Sequence, residues 1–513
     1  MTAQQTATSP RLRADTIRVS VILAATLLAL VPLFVVESLP LHDYPSHLAR
    51  MYVLLQAGHD EVLNRYYEIH WALMPNLAMD ILVPPLARAI GSVELAGKLF
   101  VALTMLLLSS GTMFLHAAIH RRVSLWPLLS VVLLYNGILW FGFLNFLFSL
   151  GLFLWAFGIF VRTQDWPVMS RVPLCAILCV ILFVAHLFGF ALFLVAVAGW
   201  SFGRMWVRDL TFRGVVREGL LVLPATLLCL SLFLFATPTS SVASETSWSD
   251  LRRPWHYIAK LQATLFAVDF NDSLTLVAAL LVASIVVLGF VAGWVRLDRR
   301  MVPVLGLLSL CFAAMPMMVS SSYFAYHRMP IVLAFVSVTA LDWTVRAPAR
   351  ALAAILFAFI VLRVEEVSVQ WRQLDNDFAP IRSAMRTLPK GTRLTTAMAA
   401  PPGLPAPALL HVPSHIVLDA DGFYPGVFSF PGQQPINFTP AYAELGGHIG
   451  SRSIFHRFPL NFDSYGPQFD PFVPTLLAQF DVLLTFQDSY LTLPQGLVLL
   501  KASGPWKLYR LAH

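Results

Sequence analysis

Residues 17–50 have the sequence IRVSVILAATLLALVPLFVVESLPLHDYPSHLAR, in which an apolar run is followed directly by a short polar segment. The apolar part, residues 17–36, is as long as the roughly 17–25 residues that a helix needs to cross a bilayer. Arginines stand at its amino end, and no small-residue cleavage site follows it. We therefore expect a retained membrane anchor rather than a removed signal peptide.

The rest of the chain has the composition of a protein with many membrane spans. Of its 513 residues, 58% are hydrophobic and 12% are charged, and the mean hydropathy is +0.71. Soluble globular domains carry about 25% charged residues, so a soluble enzyme, a disordered chain and a coiled coil are excluded. The net charge of +7 comes from Lys and Arg clustered between apolar runs. Because no nucleic-acid-binding motif accompanies these clusters, we expect no nucleic-acid partner.

The distribution of basic residues predicts how the chain crosses the membrane. Two of the later apolar stretches are long enough for helical hairpins, one with a turn signal at Asn136-Gly137 and one with His186 near its middle. If both are hairpins, sixteen Lys and Arg residues lie in short loops on the amino-terminal side and eight lie in longer loops on the other side. The positive-inside rule then predicts about eleven transmembrane helices, a cytoplasmic N-terminus and a periplasmic C-terminus. The apolar stretches after the first are 99–119, 125–161, 172–203, 219–236, 274–295, 302–319, 329–345 and 351–367.

We therefore predict an all-α polytopic membrane domain followed by a small periplasmic α/β domain. The membrane domain covers residues 1–367, with outer loops at 38–98 and 237–273, and the periplasmic domain covers 368–513. Within the latter we expect a polar helix, three short strands and a C-terminal hairpin around Ser503-Gly504-Pro505. The helix is expected at 375–387 and the strands at 392–398, 415–418 and 480–486.

The polar segment after the first span carries the strongest candidate for catalysis. Asp43 precedes an amphipathic helix expected at about 46–57, and His42 and His47 flank it. A carboxylate at the membrane surface can take a proton from a hydroxyl, and a neighbouring histidine can orient it or hold a phosphate. Asp43 can equally be the N-cap of the helix, and the pattern leaves both roles open. A divalent metal is disfavoured, because the spacing of these three residues does not place them on one helix face.

A second polar pair, Asn76 and Asp80, shares one face of a surface helix expected at 75–91. The pair either binds substrate or forms a polar stripe that faces water. His186 is an ionisable residue in an apolar run, where such residues are functional by default. A single buried histidine can also be a packing residue, so both interpretations stay open here.

Cations near the outer ends of spans are candidates for binding a phosphate. They lie beside aromatic residues, as suits a phosphate at headgroup depth. The alternatives are a general attraction to anionic lipid for the loop residues and snorkelling for the residues at the end of a span. The candidates are Arg252, Arg253, His256 and Lys260 in the second outer loop, and His327 and Arg328 at the end of a span.

The layout and several short motifs resemble the GT-C superfamily of membrane glycosyltransferases. The layout consists of a first span, a long outer loop that opens with an acidic residue, two surface helices, many further spans and an outer C-terminal domain. The resemblance covers nearly the whole chain in layout and a few short motifs in sequence. These motifs are DYPSHLA at 43–49, Asn76 with Asp80, GFLNF at 142–146 and AHLFG at 185–189.

The resemblance implies an inverting transferase of the bacterial inner membrane. It would move a sugar from a polyprenyl-phosphate carrier to a glycan, lipid or protein acceptor. Asp43 matches the family's acidic residue of the first loop, which acts as general base or holds a metal. Two alternatives stay open: a non-catalytic assembly protein, because the turn at 136–142 lacks the second carboxylate common in the family, and a lipid or glycan transporter. A transporter would favour internal repeats, and the sequence has none.

Overall fold

The computed structural model describes residues 10–56, 58–237, 255–268, 274–319, 324–343, 347–399, 411–429, 432–446, 455–456, 477–490 and 493–511. The helices are α1 (Pro10–Ala29), α2 (Tyr44–Gln56), α3 (Glu61–Tyr66), α4 (Ala78–Ile90), α5 (Val93–His120), α6 (Leu128–Val132), α7 (Gly137–Trp140), α8 (Leu144–Arg162), α9 (Val168–Ala185), α10 (Leu187–Trp206), α11 (Phe212–Ser231), α12 (Trp255–Val268), α13 (Thr275–Val291), α14 (Val302–Ala314), α15 (Met329–Ala340), α16 (Ala347–Met385) and α17 (His415–Ala420). The strands are β1 (Tyr67–Ile69), β2 (Val295–Leu297), β3 (Leu341–Trp343), β4 (Leu394–Ala399), β5 (Ile436–Phe438), β6 (Phe455–His456), β7 (Val482–Phe486), β8 (Val498–Ser503) and β9 (Trp506–Arg510).

Long apolar helices make the chain a multi-pass membrane protein. Within the described residues, six helices are long and apolar enough to cross a bilayer. Shorter apolar helical segments lie at Leu128–Trp140 and Thr275–Val291. The total of eleven spans stays a prediction. The six helices are Leu12–Phe34, Val93–His120, Leu144–Arg162, Val168–Ala185, Leu187–Trp206 and Phe212–Phe235.

Both breaks that the sequence predicts within long apolar stretches are present. His186 has an extended backbone between α9 and α10, and its Nδ1 accepts a hydrogen bond from the Phe188 N–H at 3.1 Å. This side chain therefore caps the amino end of α10. Asn136 caps α7 in the same way, since its side-chain oxygen accepts from the N–H groups of Ile138 and Leu139, each at 3.0 Å.

The described chain divides into two compact units. The first comprises Met1–Pro32, Val101–Ala236 and Ala243–Val367, and the second comprises Leu33–Phe100, Thr237–Val242 and Ser368–His513. In the first unit, α10 packs against α14. Gly199 allows this close approach, because a Cβ atom there would lie 2.6 Å from Cα of Val304 in α14.

The second unit joins the first outer loop to the C-terminal part of the chain. Strand β1 pairs with β5 in antiparallel register, with Tyr67 opposite Phe438. A buried ion cluster adds to this contact: Arg382, 1% exposed, lies 2.7 Å from Asp419 and 3.2 Å from Glu37. Because ladder and cluster both connect the two segments, loop and C-terminal part fold as one body.

A mixed five-stranded sheet forms the rest of the second unit, in the order β6-β4-β7-β9-β8. Strands β4 and β7 are parallel, whereas β9 is antiparallel to β7 and to β8. The predicted hairpin is confirmed, with Gly504 at φ 52° in its turn, a backbone angle that favours glycine. The α/β character of this part of the chain is therefore confirmed.

One predicted strand, at 415–418, is wrong, because these residues lie in helix α17. A four-residue apolar run cannot be assigned to strand or helix from its periodicity. Here long-range contacts decide: the Nε2 atom of His415 lies 3.0 Å from Ser38 Oγ, and α17 packs on α2. The helix ends at Asp421, whose φ of 47° terminates the helical turn.

Candidate active site

Asp43 lies at the start of α2 beside two histidines. Its carbonyl oxygen accepts the N–H of His47 at 3.1 Å, so Asp43 occupies the N-cap position of the helix. Its Oδ1 atom lies 3.7 Å from Nε2 of His411, and the rings of His42 and His411 meet edge to face at 5.6 Å. One donor atom of each of these three residues lies within 4.8 Å of the other two. Asp43 is therefore both the N-cap residue of α2 and a member of a polar cluster.

Burial controls the protonation of the two histidines. His42 is buried, and the side chains of Asp43 and His411 are 14% and 15% exposed. Burial, with a smaller contribution from neighbouring His411, lowers the pKa of His42 to about 3. Burial likewise lowers the pKa of His411 to about 4, against the opposing effect of a hydrogen bond to the Gly426 backbone. Near pH 7 both imidazoles are neutral, as general bases and metal ligands must be.

His47 lies one turn along α2 and is not a member of this donor group among the described residues. Its ring contacts Phe428 at 5.2 Å, and Phe428 in turn contacts the ring of His411 at 4.7 Å. The Phe428 N–H donates to Ser46 Oγ at 2.8 Å, which fixes this contact to α2. The ring of Phe428 therefore connects His47 to the cluster of His42, Asp43 and His411.

Asp80 forms a buried ion pair with Arg50. The Nε and Nη2 atoms of Arg50 donate to the two carboxylate oxygens of Asp80 at 2.7 and 3.1 Å, and both side chains are fully buried. The pair joins α2 to α4. The alternative of a polar stripe facing water is thus wrong for Asp80, whereas Asn76 is half-buried. The substrate-binding role of both residues stays a prediction.

In the first unit, His186 and Arg328 come together although 142 positions separate them. Arg328 is 6% exposed, and its guanidinium lies over the rings of Phe143 and Phe188 at 4.6 and 5.7 Å. Nη1 of Arg328 lies 3.4 Å from Nε2 of His186. Because Nδ1 of His186 accepts a backbone N–H, neutral His186 carries its proton on Nε2. Two donors therefore face each other, an arrangement that suits an anionic oxygen.

The other predicted phosphate-binding residues have different surroundings. The ring of His327 is stacked on Tyr326, with the ring centres 4.4 Å apart. The ammonium of Lys260 donates to the carbonyls of Phe312, Ala313 and Met315 at the end of α14, and this use of three N–H groups makes it a helix cap. Arg252 and Arg253 lie outside the described residues, and only the backbone of His256, within α12, is described.

Comparison with known proteins gives matches among solved structures. No family model matches the chain, and no curated protein matches it. The structure of ArnT from Cupriavidus metallidurans bound to undecaprenyl phosphate matches with a TM-score of 0.53 over 97% of this chain and 98% of that one, at 12% sequence identity. The chain has the ArnT fold. The apo form of the same ArnT matches at 13% identity over the same shares, with a TM-score of 0.48.

This likeness establishes the fold and agrees with the multi-pass membrane architecture that the sequence predicts. At 12% identity it assigns no residue of ArnT to a residue of this chain. The roles proposed for individual residues therefore rest on their own contacts.

His411 is a residue of this cluster that the sequence alone does not indicate. It lies 368 positions from Asp43 in a segment without a recognisable motif. The only available signal is the pair His411 and His415, four residues apart in a stretch otherwise poor in charge. Such a pair does not indicate that His411 lies beside Asp43, because this contact with the first loop depends on the fold of the second unit.

Proposed function

We propose that the chain is a membrane glycosyltransferase that moves a sugar from a polyprenyl-phosphate carrier to a hydroxyl of a periplasmic or lipid-linked acceptor. The observation that carries this proposal is the position of Asp43: a carboxylate at the start of α2, beside two neutral histidines, in a protein with the ArnT fold. The related ArnT structure contains undecaprenyl phosphate, and a shared fold supports a donor of the same class here.

In the proposed reaction, Asp43 takes the proton of the acceptor hydroxyl. At the same time the oxygen of that hydroxyl attacks the anomeric carbon of the sugar. The bond between that carbon and the phosphate oxygen breaks, and the polyprenyl phosphate leaves with the bonding electron pair. Attack from the face opposite the leaving group inverts the anomeric centre. His42 and His411, which line the carboxylate, keep it oriented and limit its access to water.

The phosphate of a lipid carrier needs hydrogen-bond donors for its anionic oxygens. We propose that Arg328 and His186 of the first unit bind such a phosphate, since their N–H groups face each other across 3.4 Å. The guanidinium packs over the rings of Phe143, Phe146 and Phe188, which hold its charge in this position.

The proposed location is the bacterial inner membrane, with the second unit in the periplasm. The first outer loop and the C-terminal part form one body, which supports their lying on the same side of the membrane. The distribution of Lys and Arg favours the periplasmic side for both.

The donor class can be tested with the purified full chain in liposomes. A panel of undecaprenyl-phosphate sugars, each labelled in the sugar, is offered together with an extract of cell-envelope acceptors, and the same sugars are offered as nucleotide diphosphates. We expect label to move only from the lipid-linked donors, with release of undecaprenyl phosphate. Transfer from the nucleotide sugars instead, or release of neither carrier from any donor, would refute the proposed donor class.

A further inference from the structure

We infer that a cleft at the carboxyl end of α5 binds a phosphate group, carried either by the headgroup of an anionic lipid or by a soluble compound. Residues at the end of α5 and on strands β2 and β3 line this cleft, which lies wholly within the first unit and has a volume of about 250 Å³. A group several times larger than a water molecule, which takes about 30 Å³, therefore fits. The inference goes beyond the proposed transfer reaction, because the residues of the cleft have no part in that reaction.

The antiparallel pair of β2 and β3 forms one wall of the cleft. Arg296 on β2 stands directly opposite Asp342 on β3. Side chains at opposite positions of an antiparallel pair project from the same face. Both residues line the cleft, so this face of the two strands points into it.

Each of the two aspartates that line the cleft is already paired with an arginine. Asp342 accepts a hydrogen bond from Nε of Arg122 at 2.6 Å and another from Oγ of Ser124 at 3.1 Å. Asp298 accepts from Nε and Nη2 of Arg300 at 3.0 and 2.6 Å. Two positive charges therefore balance the two negative charges.

Arg296 adds a positive charge that these carboxylates do not balance. Its side chain is exposed at the cleft, and no carboxylate of the described residues lies within ion-pair distance of it. An anion in the cleft would balance this charge and accept charge-assisted hydrogen bonds from the guanidinium.

Two further side chains of the cleft have N–H groups to donate. Trp343 is 7% exposed, and its indole Nε1 has no hydrogen-bond partner within the described part of the chain. Arg122 uses Nε and Nη2 for Asp342 and for the carbonyl of Trp343, which leaves the two N–H groups of Nη1 in its described contacts. Buried donors are normally satisfied. A phosphate has several acceptor oxygens and can therefore accept from Trp343, Arg122 and Arg296 together.

The surroundings of the cleft favour a lipid as the source of the phosphate. Helix α5 is long and apolar enough to cross a bilayer, and the cleft lies at its end. The chain that leads into β2 carries Val291 and Trp294, which are 83% and 43% exposed. Tryptophan is enriched at the membrane–water interface, and basic pockets between membrane helices on the cytoplasmic side bind anionic headgroups. The distribution of Lys and Arg predicts that this end of α5 is cytoplasmic.

The test uses the full chain, purified in detergent and stripped of lipid. It is titrated with short-chain phosphatidylglycerol, with short-chain phosphatidylcholine or with glycerol phosphate. Binding is measured by native mass spectrometry, and the melting temperature is recorded at each step. We expect phosphatidylglycerol to bind and to raise the melting temperature, and phosphatidylcholine to do so much less, because its own ammonium group balances the phosphate. Glycerol phosphate distinguishes the two sources: binding as strong as that of phosphatidylglycerol would assign the phosphate to a soluble compound.

Variants of the cleft show where the phosphate binds. Arg296→Gln should weaken binding of phosphatidylglycerol by about tenfold or more, as for the loss of a charge-assisted hydrogen bond. Trp343→Phe should also weaken it, because the ring can still pack against Trp126 but the N–H donor is lost. The matched control is Arg299→Gln, at an exposed arginine that does not line the cleft. It should bind like the parent.

Arg328→Lys separates this cleft from the proposed binding site for the lipid carrier. This variant should bind phosphatidylglycerol like the parent and still lose affinity for the undecaprenyl-phosphate donor. If neither phosphatidylglycerol nor glycerol phosphate binds to the parent, or if Arg296→Gln binds them as the parent does, the inference is wrong. Sugar transfer by a chain whose cleft binds no phosphate would uphold the proposed function alone.

Discussion

At the scale of single residues, Asp80 and Arg50 show how a polar motif can serve the fold. Their side chains are fully buried and form two hydrogen bonds. Removing one partner of such a pair costs about 3–5 kcal/mol, because the other charge is left buried and uncompensated. We expect Asp80→Asn to lower the melting temperature strongly, measured by size-exclusion chromatography after heating.

An apolar replacement of both partners is the control for this prediction. Arg50→Met combined with Asp80→Leu should recover most of the lost stability, since neither charge is then buried alone. A stable Asp80→Asn protein that has lost sugar transfer would contradict the structural role and favour substrate binding.

Arg328 offers a second prediction at this scale. Arg328→Lys keeps the charge but loses the planar fork that lies over the Phe143 ring. We expect affinity for the undecaprenyl-phosphate donor to fall by about tenfold or more, as for the loss of a charge-assisted hydrogen bond. Binding is measured with the purified chain in detergent.

The matched control for Arg328 is Arg217→Lys, at an exposed arginine of the same unit. Its donor affinity should be that of the parent. Equal affinities for the Arg328→Lys protein and the parent would show that the phosphate binds elsewhere.

At the scale of elements, α17 depends on a buried histidine. His415 is 1% exposed and contacts Ser38. Burial lowers the pKa of His415 well below its usual value, with smaller contributions from Arg382 and Arg386. In the unfolded chain the imidazole binds a proton near pH 6.5, so below that pH the folded state binds fewer protons.

The free energy of unfolding should therefore fall as the pH drops below about 6.5, by up to about 1.4 kcal/mol per pH unit for this group. In His415→Gln, the free energy of unfolding should fall less steeply as the pH drops. Thermal unfolding at pH values above and below about 6.5 measures this difference. His59→Gln, at an exposed histidine, should leave it unchanged. If the free energy of unfolding falls equally steeply with pH in His415→Gln and in the parent, His415 is not the cause of the acid dependence.

The elements also show what could be predicted from the sequence. Breaks with a local cause can be predicted, as at His186 and Asn136, because at each of them a single side chain caps the helix that follows. Residues 415–418, predicted as a strand, lie in helix α17, and this helix contacts Ser38, which is far away in sequence. The same limit applies to the site: Asp43 has a local motif, whereas His411 joins it only through the folded second unit.

At the scale of the whole molecule, the chain combines a membrane-embedded unit with a unit built from the first outer loop and the C-terminal part. Because one body contains both segments, they should share one side of the membrane. We expect an alkaline phosphatase fused to the C-terminus to be active and a fluorescent protein fused there to be dark. The opposite pattern would contradict the periplasmic placement and the odd number of spans.

The most direct test of the proposed catalytic role of Asp43 is sugar transfer by Asp43→Asn in liposomes with the lipid-linked donor. Asparagine retains a capping oxygen but cannot take the proton of the acceptor. Asp60→Asn is the matched control, since Asp60 caps α3 in the same unit through hydrogen bonds to Val62 and Leu63. We expect Asp43→Asn to fold and insert like the parent but to transfer no sugar, while Asp60→Asn remains active. Full activity of the Asp43→Asn protein would leave Asp43 with a capping role alone and contradict the proposed chemistry.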